Sequence, residues 1–177
     1  MSNFTELCLR RQSCRKFTDK PAEHEKLVAC VETGHLAPSG CNSQPWSFVV
    51  VETPEIVAEV AKCGQQIGMN PWLSTATAFI VVLEEHAVLM PAIRKVIDSQ
   101  YFAKGDLGAA TVHVCLEAEA QGLGSCIIGI YDRETLGKLL NIPAEKQFAA
   151  LIALGYAADD TVRPKSRKPL DEIARFV

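Results

Sequence analysis

Apolar positions along the chain recur with two different periods. Phe4, Leu7 and Cys8 sit at i, i+3, i+4 and predict a helix over 3–12. Leu27, Val31 and His35 at i, i+4, i+8 predict a second helix over 22–36, with Gly34 weakening its end. Residues 46–52, WSFVVVE, are an apolar, β-branched run of the kind that fills a buried strand. Thr53-Pro54-Glu55 follows, giving an N-cap residue, a proline at the first helical position and an acid in the first turn; it predicts a helix to about Ile67. Residues 76–83, ATAFIVVL, read as a second buried strand, and 88–103 as a less regular helix. Asp106 then stands where a cap would open a long helix to residue 121. Its run of Leu107, Ala109, Ala110, Val112, Val114, Cys115 and Leu116 leaves little polar face, so it belongs in a core or an interface. Gly122 and Gly124 end it, 125–130 forms a third strand, Asp132 caps a short helix to Leu140, and 147–156, QFAALIALGY, forms a fourth strand.

Helices and strands mix without strict alternation. The expectation is one α+β domain over 1–177, with a mixed, mostly antiparallel central sheet flanked by helices. The tail, 159–177, is basic and proline-punctuated and cannot form a core alone.

Composition narrows the function classes. With 48% hydrophobic and 22% charged residues the chain reads as an ordinary globular domain, and its net charge of -3 gives no global basic field to attract nucleic acid. No stretch approaches the roughly 20 apolar residues that a membrane helix needs, and the N-terminal residues lack a secretory h-region, so the expected location is cytoplasmic. The cysteines at 8, 14, 30, 41, 63, 115 and 126 include no C-x-x-C pair, which reads as reduced, mostly buried thiols without a metal.

Four segments could carry chemistry. Arg10-Arg11-Gln12-Ser13-Cys14-Arg15-Lys16 offers guanidinium groups that bind phosphate bidentately, or is a solvated basic turn. Pro38-Ser39-Gly40-Cys41-Asn42-Ser43-Gln44-Pro45-Trp46 could present amide and hydroxyl groups to the edge of a planar heterocycle, or is a connector leading to a core tryptophan. Gly122-Leu123-Gly124-Ser125 follows a helix and precedes a strand, the reverse of a dinucleotide-binding loop; its glycines instead allow a ligand or a neighbouring element to approach closely. Arg163-Pro164-Lys165-Ser166-Arg167-Lys168 repeats the cationic theme near the end. No histidine has metal-ligand spacing, and no nucleophile motif is present.

In this order, R-R-Q-S-C-R-K-F, P-S-G-C-N-S-Q-P-W, G-L-G-S-C-I-I-G and R-P-K-S-R-K-P-L resemble the nitroreductase family over nearly the whole chain. The resemblance implies an interlocked α+β homodimer with FMN at the subunit interface and the tail, 159–177, packed on the partner. It implies that Arg11, Ser13, Lys165 and Arg167 surround the phosphate and ribityl chain, with Gln12 beside them where many members carry a basic residue or histidine. Arg15 would reach the flavin N1–C2=O edge and Asn70 the pyrimidine side. Pro38, Ser39, Gly40 and Asn42 would come from the other subunit, and backbone at Ile128 and Gly129 would face N5–O4; Gly129 replaces an acid found in some members. The implied activity is electron transfer from NADH or NADPH to a small organic acceptor, such as a nitroaromatic or quinone, by a ping-pong cycle. A flavin reductase, a reductive dehalogenase and a non-catalytic flavin-binding protein are the alternatives. The segment from about Glu84 to Gly105, which covers the substrate pocket in relatives, is short and undistinctive here.

Overall fold

In the computed structural model, which describes residues 3–177, the chain opens with α1 (Asn3–Arg10) and α2 (His24–His35). β1 (Trp46–Val51), α3 (Pro54–Gly64) and β2 (Ala78–Glu84) follow, then a short α4 (Pro91–Arg94) and the long α5 (Ser99–Ala120). β3 (Gly124–Ile128), α6 (Arg133–Leu139), β4 (Gln147–Gly155) and a single turn, α7 (Leu170–Ile173), complete it. Pro54 opens α3 as its pattern predicts, although the Thr53 hydroxyl makes no capping bond. Asp132 caps α6 through Thr135 N–H.

The strands form one sheet in the order β1-β2-β4-β3, and every ladder is antiparallel. Central β2 and β4 are buried on both faces, which is why they read as unbroken apolar runs. Alternation sorts their side chains between two cores. Ala78, Ile80, Val82, Ile152 and Leu154 pack under α2 and α5, whereas Phe79, Val81, Leu83, Leu151 and Ala153 pack under α3 and α6. Trp46 lies in the first core, and Cys30, Cys63, Cys115 and Cys126 are buried.

One expectation is corrected. Asp106 does not cap a helix: α5 already begins at Ser99, where Asp98 accepts the N–H of Gln100. Gly105 and Gly108 lower the intrinsic helix propensity there, but burial of Ala103, Leu107, Ala110 and Val114 on one side carries the helix through them. Most of the stretch from Asp106 onward is buried or half-buried, as expected, and the other side of α5 is open within the single chain, with Tyr101 and Val112 75% and 49% exposed. Its end is built as expected. Gly122 has φ +76°, Leu123 N–H reaches Ala118 O and Gly122 N–H reaches Glu119 O, a Schellman closure that only a residue tolerant of positive φ makes without strain.

Among the described residues no helix is long and apolar enough to cross a membrane.

Candidate active site

The cationic segment after α1 is fixed against the open edge of the sheet. Ser13 pairs in parallel with Ser125 of β3, and Cys14 N–H donates to Ser125 O at 2.9 Å. Buried Phe17 pairs with Ala157, framed by Thr18 N–H to Tyr156 O and Ala158 N–H to Lys16 O. The glycine-rich turn makes this docking possible. A Cβ at Gly124 would stand 2.8 Å from the Cys14 Cβ, so glycine is what lets the two chains meet. The Cys14 thiol donates to Lys16 O at 3.2 Å, and burial pushes its pKa up, so it stays protonated and is a poor nucleophile.

The C-terminal tail closes over the same segment. Gln12 donates from Nε2 to Thr161 O and accepts at Oε1 from both the backbone and Nε of Arg163. The Arg163 guanidinium also donates to Ser13 O at 2.6 Å, and Lys165 Nζ donates to Arg11 O. A cavity of about 320 Å³ results, lined by Arg11, Ser13, Arg15, Arg163, Lys165 and Arg167. The Lys165 ammonium is held below its ordinary pKa, first by partial burial and then by the neighbouring Arg11, Arg167 and Arg163 charges. Among the described residues none of Arg11, Arg163, Lys165 and Arg167 forms an ion pair. Five cationic residues around one small cavity, Arg15 among them, with no ion pair to a carboxylate among the described residues and with Ser13 in the lining, suit the dianion of a phosphate monoester.

Arg11, Gln12, Ser13, Arg15, Lys165 and Arg167, drawn from opposite ends of the sequence, therefore come together. The other predicted site residues stand apart from this cavity within one chain. Pro38, Ser39, Gly40 and Asn42 form a loop between α2 and β1 that leans on α5, with Gly40 N–H donating to Asp106 Oδ2 at 3.0 Å. Asn70 sits in the left-handed region with its side-chain amide on Gly64 O. Ile128 is buried at the end of β3, and Gly129 follows with open space where a side chain would be. Arg163 belongs to the same cationic run as Lys165, but nothing in the sequence pairs it with Gln12, and the Asp106 carboxylate accepts the Gly40 N–H and caps no helix.

The model of the nitroreductase family matches residues 9–156. A protein of Archaeoglobus fulgidus, provisionally named NADH dehydrogenase/NAD(P)H nitroreductase, is 31% identical over 163 residues, covering 88% of each chain. The iodotyrosine deiodinase of Thermotoga neapolitana is 24% identical over 98% of this chain and 96% of its own. Among solved structures, a nitroreductase family protein from Streptococcus pneumoniae superimposes with a TM-score of 0.84 at 27% identity, covering 99% of this chain and all of that one. A family match spanning most of the sequence, a relative above 30% identity and the same fold end to end agree: this chain belongs to the nitroreductase family.

Proposed function

We propose that this protein is an FMN-dependent oxidoreductase that works as a homodimer, moving electrons from NADH or NADPH to a small organic acceptor such as a nitroaromatic or quinone. The observation that carries the proposal is the cationic cavity closed by the tail, whose donor set fits the FMN phosphate. In this reading Arg11, Ser13, Arg163, Lys165 and Arg167 hold the phosphate, with Gln12 aiming Arg163. Arg15, on the same segment but free of the tail clasp, stabilises negative charge at the N1–C2=O edge of the ring, as an oxyanion hole does. When bound, FMN would supply the two-electron chemistry between nicotinamide and acceptor. The two substrates would occupy the site in turn. No side-chain nucleophile is required, in keeping with a Cys14 thiol that stays protonated.

Dimerisation accounts for two features of the single chain. The outward side of α5 carries Tyr101, Gly105, Gly108 and Val112, and a Cβ at either glycine would meet nothing within 4 Å. Glycines in an open helix face cost stability with no return unless a partner approaches there. The tail likewise exposes Leu170, Ile173 and Phe176, the last at 84%. Packed on a second subunit they become anchors, and the loop Pro38–Asn42 of one subunit would meet the flavin held by the other.

The test is anaerobic titration of the purified, FMN-loaded protein with NADH and NADPH, followed by a screen of nitroaromatics, quinones, enones and halogenated phenols, with sedimentation to fix the oligomer. Bleaching of the flavin by a nicotinamide, reversed by an acceptor, is expected of a dimer. Flavin that neither nicotinamide reduces would leave only a binding role. The likeness to a deiodinase favours one second reading, a reductive dehalogenase, which would show a far higher kcat/KM for halogenated phenols than for nitroaromatics.

A further inference from the structure

The loop between α2 and β1 is the most strained part of the chain. Cys41, Asn42 and Gln44 have φ of 54°, 52° and 48°, three of the five non-glycine residues with positive φ among those described. Such values disfavour side chains with a Cβ, and they persist only where the surroundings enforce them. Enforcement from within the loop is substantial: Ser39 Oγ accepts Gln44 N–H at 2.9 Å, and Gln44 Nε2 donates to Asn42 O at 3.0 Å. Asn42 and Ser43 N–H groups return to Ser39 O and Gly40 O. Among the described residues the hydrogen bonds of 39–44 stay within 39–46, with one exception, Gly40 N–H to Asp106 Oδ2.

Asp106 is an odd occupant of its position. It lies two turns inside α5, half-buried, where an aspartate is a poor helix former. Among the described residues it forms no ion pair, so the Gly40 amide is what compensates its partly desolvated carboxylate. One turn before it, Phe102 closes the same contact. A Cβ at Gly40 would stand 3.3 Å from the Phe102 ring, so a larger residue there would require the ring to give by a few tenths of an ångström.

We propose that Asp106 is a positioning residue: its carboxylate pins the Gly40 amide and thereby holds the strained loop Ser39–Gln44 in the shape that meets the flavin ring. This rests on the reading that the loop contacts the ring of the FMN bound by the other subunit. Asp106 touches neither cofactor nor substrate; it sets where Ser39, Gly40 and Asn42 stand. The phosphate cavity is built from other segments, so the loss of Asp106 affects ring recognition and spares phosphate recognition.

The experiment compares Asp106→Ala, Asp106→Leu and Asp106→Asn with the parent, by hydrogen exchange of the Gly40 amide in flavin-free protein and by the affinities for FMN and riboflavin. Alanine and leucine remove the acceptor, while asparagine keeps an oxygen in place. Removal is expected to speed Gly40 exchange at least tenfold and to weaken FMN and riboflavin by the same factor, about tenfold. Asparagine should restore most of both. Arg11→Ala, by contrast, should weaken FMN and leave riboflavin unchanged. Leucine, which lacks the acceptor but fills the half-buried space, keeps the test decisive should the void left by alanine destabilise the protein. The proposal is overturned if Gly40 stays protected in a folded variant lacking the acceptor, if flavin affinity is unmoved, if asparagine is as damaging as alanine, or if FMN is lost but riboflavin is not. A parent protein that fails to bind FMN would instead refute the proposed function, and Gly40 exchange would still decide the role of Asp106.

Discussion

Replacing Arg163 by alanine separates the two contributions of the tail, its charge and its clasp. Arg163 donates to Ser13 O and Gln12 Oε1, and its charge bears on Lys165 together with those of Arg11 and Arg167. A hydrogen bond involving a charged group is worth about 1.5–3 kcal/mol. Arg163 is exposed, so solvent screening argues for the lower figure. At about 1.4 kcal/mol for each factor of ten, Arg163→Ala should weaken FMN roughly tenfold. Riboflavin lacks the phosphate and should bind both proteins equally. Arg163→Lys restores the charge without the forked contact to Gln12 and Ser13, and should fall between them. The assay is quenching of flavin fluorescence at two ionic strengths, and the difference between parent and Arg163→Ala should shrink at the higher one. Equal loss of FMN and riboflavin would refute the reasoning, since it would show that the arginine supports the fold of the site and not the phosphate. No loss of either would assign the anion to the other three cations alone.

Two further outcomes follow from the packing. The Glu23 carboxyl is lowered to about 2, chiefly by the Tyr156 hydroxyl that donates to it, with Lys20 adding to the effect. Its folded pKa therefore lies below its ordinary 4.5, so this contribution is fully present above about pH 4.5 and is lost as pH falls towards 2. Urea unfolding should show Tyr156→Phe less stable than the parent at pH 7, with the gap narrowing as pH falls from about 4.5 towards 2, and a gap independent of pH would contradict this. Gly108→Ala should stabilise an isolated chain by up to about 1 kcal/mol, whereas a subunit packed on that face would make Gly108→Leu dissociate the dimer; sedimentation of a still-dimeric Gly108→Leu would place the interface elsewhere.

Much of the fold was legible because the sheet is buried on both faces. β2 and β4 announce themselves as apolar runs that no exposed strand could carry, and the punctuation Thr53-Pro54, Asp132 and Gly122 marks helix ends through local backbone chemistry. α5 was harder. Gly105 and Gly108 break its local pattern, and the helix begins seven residues before Asp106 because burial of Ala103 and Leu107 outweighs a propensity cost of about 1 kcal/mol per glycine. Likewise, the sequence can signal that a glycine is wanted at 124 but not that Cys14 is what approaches it.

The sequence by itself determined which residue types were candidates for the proposed site: two cationic runs, a turn-rich loop and a glycine-rich turn, in an order that marks the family. It did so because such chemistry is local, written in side chains a few positions apart. Only the tertiary structure decided which of these groups meet. Gln12 and Arg163 are 151 positions apart and form one clasp because the sheet edge at Ser125 fixes the first segment and the chain after β4 returns across it. Asp106 faces Gly40 because α2 and α5 pack side by side over the first core, bringing the loop that follows α2 onto the middle of α5. Long-range register of this kind arises from the burial of apolar faces summed over the whole fold, and no local pattern at residue 12 or residue 106 encodes it.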